Sequence, residues 1–204
     1  MAPSEQDEHT RTRLLRAAVR VFDRKGYAAA SVREIVELAN VTKPALYYHF
    51  GNKEGLITAI LEDAAREFMA AMERATARQG TTRDRLTGLY DELNALFVEH
   101  IPVVRVAHSL FHGPAEGVPN FNFSVFDRGL LDALCRIYED GLRAGEVRSV
   151  DPADAALALM GIVGACAAHQ MHPEFPPLDG SRLHRVLDIV CDGLLVERRE
   201  QGER

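Results

Sequence analysis

The chain has 204 residues, 47% of them hydrophobic and 26% charged, enough for a small head and one larger body with its own core. Its three cysteines, Cys135, Cys166 and Cys191, are far apart and odd in number, which argues against a disulfide framework and for a reduced, cytosolic protein. The formal net charge is −6, and the opening MAPSEQDEHT is polar and acidic rather than basic then apolar, so no secretory signal is expected.

Apolar periodicity is helical throughout, with no strand-like alternation, and predicts an all-α fold of about nine helices. After a polar tail at residues 1–10, a first helix runs from near Thr10 to Lys25, with Leu14, Ala17, Ala18 and Val21 inward and Gly26 as its stop. Ser31 followed by Glu34 is a capping box, which starts a second helix. There Val32, Ile35, Val36 and Ala39 form one apolar stripe, and Asn40 suits the left-handed backbone that ends a helix. Thr42 caps a third helix, and Pro44 sits in its first turn, where a missing amide proton costs no intrahelical bond. Val41 and Leu46 fit a hydrophobic staple around that cap. Leu46 and Phe50, four apart, make its inward face, which leaves Pro44, Ala45, Tyr47 and Tyr48 outward and Lys43 and His49 on the flanks. Asn52 caps the next helix, with Lys53 and Glu54 in its opening turn.

Two short capped helices either side of a tight break, the second aromatic and basic, are the layout of a DNA-reading helix-turn-helix. Charge agrees. Residues 11 to 53 hold nine basic side chains against three acidic ones, a local balance of +6 in a chain of −6, so the remainder carries −12. A basic end on an acidic body orients the molecule toward a polyanion.

The run VTKPALYYHFGNKEGL, within about Arg11 to Ile57, resembles the DNA-binding domain of the TetR family of dimeric transcriptional repressors. The family usually places a small residue where Asn40 stands and Ala where Val36 stands. The resemblance implies that Lys43, Pro44, Ala45 and Tyr47 face base edges in the major groove, with Arg33 reaching in from the preceding helix. It further implies that Thr42, Tyr48, His49 and Lys53 hold phosphates. The chemistry agrees: a lysine donates to guanine, a tyrosine ring packs on a thymine methyl, and cap hydroxyls suit phosphate oxygens. On this reading residues 11–55 are the DNA-binding domain and 56–200 a ligand-binding and dimerisation domain.

Past the head, a long fourth helix spans Lys53 to Gln79, ended by Gly80, and is stiff enough to bridge head and body. A fifth runs from Thr81 and Thr82 to His100, and Pro102 opens a sixth that ends at Gly113. GPAEGVPN, residues 113 to 120, is a loop, and a seventh helix spans roughly Phe123 to Ala144, closed by Gly145. Asp151, Pro152 and Asp154 start an eighth. HPEFPPLDG, residues 172 to 180, separates it from a ninth, Ser181 to about Arg198.

Ala155 to Ala168 is apolar all round and rich in small residues, so the eighth helix is expected to be buried on more than one side. Fourteen residues are too few to span a bilayer, so no membrane partner is expected. The ninth helix offers Leu183, Val186, Leu187, Val190, Cys191 and Leu194 on one stripe. By the same resemblance, helices eight and nine of two chains are expected to make a four-helix homodimer interface through Leu157, Met160, Gly161, Gly164, Ala165, Leu187, Val190 and Leu194, the alternative being that both helices close an ordinary monomer core. Pairing also doubles the few base pairs that one helix-turn-helix reads, at a spacing of about 34 Å.

Phe97, His100, Val104, His108, Phe111, His112, Phe121, Phe123 and Phe126 gather aromatic and histidine side chains around the loop, the mix expected of an apolar effector pocket with polar anchors. Phenylalanines at helical spacing equally suit plain core. His108 and His112, four apart, have metal-ligand spacing, with Glu116 or His100 as a third ligand, and His169 and His172 form a second pair. Such histidines more often satisfy local hydrogen bonds, and no metal or other cofactor is expected. Ser109, Leu110 and Phe111 lack the glutamate of an HExxH helix, and no catalytic triad or phosphate loop is present, so a metal hydrolase is the weaker reading. A protein-binding adaptor is the other alternative.

These features lead to an expected ligand-responsive repressor with double-stranded operator DNA as partner. An unidentified, largely apolar small molecule tilts the fourth helix and spoils the recognition-helix spacing.

Overall fold

The computed structural model describes residues 5–113, 119–171, 174–176 and 178–194. Among these residues there are nine helices and no strand: α1 (Glu5–Lys25), α2 (Val32–Ala39), α3 (Lys43–Phe50), α4 (Lys53–Ala77), α5 (Thr82–Glu99), α6 (Ile101–His112), α7 (Ser124–Ala144), α8 (Pro152–Met171) and α9 (Gly180–Leu194). The chain divides into two compact units, Met1–Glu67 with His100–Phe123, and Phe68–Glu99 with Ser124–Arg204. This division differs from the 55/56 boundary read from sequence, because α6 and most of α4 belong with the head.

The first unit is built around α1, whose Leu14, Ala18, Val21 and Phe22 are buried with Ile35 and Val36 of α2, Leu46 of α3 and Leu56, Ile57 and Leu61 of α4. Val106 and Leu110 of α6 join the same core. A two-pronged ion pair ties α6 to α1: Arg105 Nε and Nη2 donate to the two carboxylate oxygens of Asp23, each at 2.7 Å. The fork geometry and the partial burial of both groups make this a stronger tie than an exposed pair. Among the described residues α1 runs from Glu5, so residues 5–10 are helical rather than tail. The Thr10 and Thr12 hydroxyls donate to the carbonyls of Gln6 and Glu8 at 2.9 and 3.0 Å.

The second unit packs α5, α7, α8 and α9 with the C-terminal part of α4. Tyr90 of α5 is buried, and its hydroxyl donates to the carbonyl of Leu159 in α8 at 2.6 Å, which satisfies the one polar atom of a large core ring. Burial pushes its ionisation well above the ordinary tyrosine value. Helices α5 and α7 approach so closely that a Cβ on Gly141 would sit 2.3 Å from Thr82 Oγ1. Glu146 accepts from the Thr82 amide at 2.6 Å and from its hydroxyl at 2.7 Å, pinning the start of α5. Arg83 pairs with Asp188 and Asp192, and His184 with Asp91 at 2.7 Å, so α9 is held to α5 by charge as well as by Leu183, Leu187 and Cys191 in the core. Cys135, Cys166 and Cys191 are free, and burial pushes all three thiols up, which suits small core hydrophobes.

Within the single chain, helix α8 is buried along one face. Ala155, Ala156, Leu159, Ile162, Val163 and Cys166 are buried in the unit, whereas Leu157, Ala158, Gly161, Gly164 and Ala165 face outward in this single chain. At 20 residues it is longer than the apolar run of residues 155–168, and by length and composition it is apolar enough to cross a membrane. Its buried half is nonetheless packed inside the unit.

Candidate nucleic-acid interface

The head's local geometry follows from its caps. Ser31 Oγ accepts from the Glu34 amide at 3.2 Å while the Glu34 carboxylate accepts from the Ser31 amide at 3.2 Å, completing the capping box. Lys25 also pairs with Glu34. That ammonium, with the Ser31 donors, pulls the carboxyl from its ordinary 4.5 down to about 2. Asn40 ends α2 in the left-handed region, at φ 51° and ψ 52°, a conformation that asparagine tolerates better than most residues. Its amide and that of Val41 return to α2 carbonyls, so the break is a closed C-cap. Thr42 Oγ1 then accepts from the Ala45 amide at 3.4 Å, and α3 begins.

On α3, Leu46 is fully buried in the head core. The opposite face carries exposed Lys43 and Pro44, with Tyr47 50% and Tyr48 77% exposed. Ala45, His49 and Phe50 are half-buried, and the His49 ring lies edge-on to Tyr48 at 5.0 Å. Both tyrosine rings therefore lie on the surface and do not cover the core. Arg33 is exposed on α2 and pairs with Glu37 one turn on, at 2.7 Å. Such an exposed i, i+4 pair holds the guanidinium weakly.

Lys53 is bound within the head. Its ammonium is bound to the carbonyls of Tyr27 at 2.9 Å, Ala28 at 3.3 Å and Ala30 at 3.0 Å, and lies 4.4 Å from the Tyr27 ring centroid. All three hydrogens of the ammonium can be used within the chain, and partial burial shifts its ionisation downward. Lys53 thereby closes the α1–α2 loop. Three further residues that the sequence does not single out shape the head. Arg13 donates to the carbonyls of Ala39 and of Asn40, the latter at 2.7 Å, and so satisfies the end of α2. Gly55 lets α4 start directly behind α3, since a Cβ there would sit 2.0 Å from the Phe50 carbonyl oxygen. Asp23, in the first helix, is the partner of Arg105. Short-range periodicity and caps carry no signal for the two that reach far along the chain, Arg13 and Asp23.

Residues 14–60 match the family model described as "Bacterial regulatory proteins, tetR family". Through this stretch the chain is similar to the TetR family of regulators. Its fold is that of solved members: the TetR-family transcriptional regulator PfmR from Thermus thermophilus superposes with a TM-score of 0.74 at 26% identity, over 91% of this chain and 100% of that one. The structure described as a SmeT–triclosan complex superposes at 0.70 with 25% identity, over 93% of each chain. Among curated relatives, the HTH-type transcriptional regulator TtgR of Pseudomonas putida is 35% identical over 95 residues. That alignment spans 44% of this chain and 45% of TtgR, less than half of either.

The residues expected around an effector fall in different units. His108, Phe111, His112, Phe121 and Phe123 come together in the first unit, with ring centroids 4.3 Å apart for His108 and His112, 5.8 Å for Phe111 and Phe123 and 5.0 Å for Phe121 and Phe123. Phe121 and Phe123 are half-buried, but His108, Phe111 and His112 are exposed, so this group is an open aromatic patch in the described residues. Val104 is half-buried on α6, and His100, which precedes that helix, lies 3.1 Å from Glu67. Partial burial, then the neighbouring His112, lowers the ionisation of His108. Phe97 and Phe126 belong to the second unit, where Phe97 packs against the core and Phe126 lies edge-on to Phe68 at 5.4 Å. Glu116 and His172 lie outside the described residues, among which no three potential ligands cluster around a metal position.

Of the expected interface residues, Leu157 is 65% exposed, Gly161, Gly164 and Ala165 are exposed, and Met160 and Val190 are half-buried. Leu187 faces the unit's own core, whereas Ile189 of α9 is 75% exposed. The side chain of Leu194 is outside the described set.

Proposed function

We propose that the chain is a homodimeric cytoplasmic repressor that reads a duplex operator with α3 and is released from it by a small, largely apolar effector. The observation that carries this reading is α3 itself. It buries Leu46 while leaving Lys43, Pro44, Tyr47 and Tyr48 in solvent, an arrangement suited to contact with a groove. In this reading Lys43, Pro44, Ala45 and Tyr47, with Arg33, meet base edges, while Thr42, Tyr48 and His49 meet phosphates.

The outward stripe of Leu157, Gly161, Gly164, Ala165 and Ile189 supports a second copy as partner, since apolar residues of this size left in water favour association. A two-fold dimer then presents two α3 helices to half-sites one duplex turn apart. The effector reading is supported by the likeness, over 93% of each chain, to the SmeT structure described as a triclosan complex. The aromatic patch of α6 and Phe121–Phe123 offers a surface that a ligand could bias, and α6 is tied to α1 of the head through Arg105 and Asp23. Selecting bound fragments from the source genome tests the function. A recurring two-fold-symmetric sequence with salt-dependent affinity is expected, and indifference to every duplex at low salt overturns the reading.

A further inference from the structure

Nine basic side chains stand between residues 11 and 53, and most are engaged inside the head. Arg11 lies 3.9 Å from Asp63, Arg13 holds the end of α2, Lys25 pairs with Glu34, Arg33 with Glu37, and Lys53 closes the α1–α2 loop. Among the described residues this leaves Lys43 on α3 and three arginines of α1, Arg16, Arg20 and Arg24, all exposed and none paired with a carboxylate. At 100° per residue these three and Arg13 fall within about 80° of the helix circumference, one stripe on the side away from Leu14 and Ala18.

We infer that Arg16, Arg20 and Arg24 form a second DNA contact, a rail for the phosphate backbone flanking the bases read by α3. This inference rests on the DNA-reading function proposed above. The stripe starts beside the helix-turn-helix: Arg13, on the same face, is bonded to the Ala39 and Asn40 carbonyls, two residues before Thr42 caps α3. Successive arginines are four residues apart, about 6 Å along the helix, close to two steps of about 3.4 Å per charge on one DNA strand. Three unpaired guanidiniums with no carboxylate among them complement a polyanion, and contacts to phosphate need no base readout. Leu38, half-exposed beside Arg16 and Arg20, is an apolar neighbour that DNA would not use.

The test is the salt dependence of duplex binding by the full-length triple variant Arg16→Gln, Arg20→Gln, Arg24→Gln. Probes are the selected operator with long flanks and a random duplex of equal length. The slope of log K against log salt should fall by about 2.7, at about 0.9 per phosphate, equally on both duplexes and with the operator preference kept. The triple Lys variant should restore the slope, and the single Arg20→Gln, which leaves most of the surface intact, should lose about 0.9. A variant that binds with the wild-type slope overturns the inference alone and leaves the stripe, with Leu38, to an acidic protein partner. A wild type with no salt-sensitive duplex affinity overturns both this inference and the proposed function.

Discussion

The Lys53 ammonium donates to the Tyr27 carbonyl at 2.9 Å across 26 residues and lies over that residue's ring. The start of α4 is thereby fastened to the loop between α1 and α2, and a charge that sequence assigns to DNA is held by the protein itself. Lys53→Met should cost about 1 to 3 kcal/mol of stability, the scale of charged hydrogen bonds lost from partly buried partners. Thermal melting reads the loss. The salt slope of DNA binding by the folded fraction should stay at the wild-type value, and a slope lowered by about 0.9 with unaltered stability would return Lys53 to the phosphates.

Base reading is tested on α3. Lys43→Ala or Tyr47→Ala should cost about 1 to 3 kcal/mol on the selected operator and relax its sequence preference. Both side chains are exposed, so melting should hardly move. Equal losses on operator and random duplex would show that these residues grip without reading.

At the turn, Arg13→Met should leave the Ala39 and Asn40 carbonyls to water and lower stability by about 1 to 2 kcal/mol. Asn40→Gly should be tolerated and Asn40→Val should not, because only the latter adds a β-branched side chain at positive φ. Comparable melting temperatures for the two Asn40 variants would mean that the left-handed cap is not maintained.

The Glu34 carboxyl supplies a pH-dependent contribution. It titrates at about 2 in the fold against an ordinary 4.5, so its pairing with Lys25 stabilises above pH 4.5 and is lost as pH falls toward about 2. Glu34→Gln should melt slightly below wild type at neutral pH, with the gap closing through that window. A gap of constant size down to pH 2 would assign the effect to the cap geometry alone.

Gly161 faces open space, with nothing within 4 Å of where a Cβ would stand, so a side chain there leaves the protomer's own packing untouched. Gly161→Glu should therefore keep the helical content and still convert the proposed dimer to single chains, read by light scattering. A variant that remains dimeric moves the interface off α8.

How legible this was follows from the range of each interaction. Capping boxes, the Asn40 break and the Thr42 start are written within four residues, and the sequence locates α2 and α3 from them almost to the residue. The outward tyrosines follow from the same short periodicity once Leu46 is known to face the core. What escaped is what spans long stretches of chain. Lys53 reads as a surface cation until the Tyr27 loop is seen folded beneath it, and nothing local to Arg105 announces Asp23, 82 residues away. Uniform apolarity in α8 hides which half is buried, so the outward stripe emerges only when Leu159 and Ile162 are found inside. Leu187 and Ile189, two residues apart, exchange roles for the same reason.

The tie between Asp23 and Arg105 bears on how such proteins are recombined. A chimera that grafts only residues up to Glu67 onto a foreign body would strand the Asp23 carboxylate without its fork and uncover the surface that Val106 and Leu110 occupy. The transplantable specificity cassette is discontinuous, and an exchange that respects its seams must bring α6 along with the reading helices.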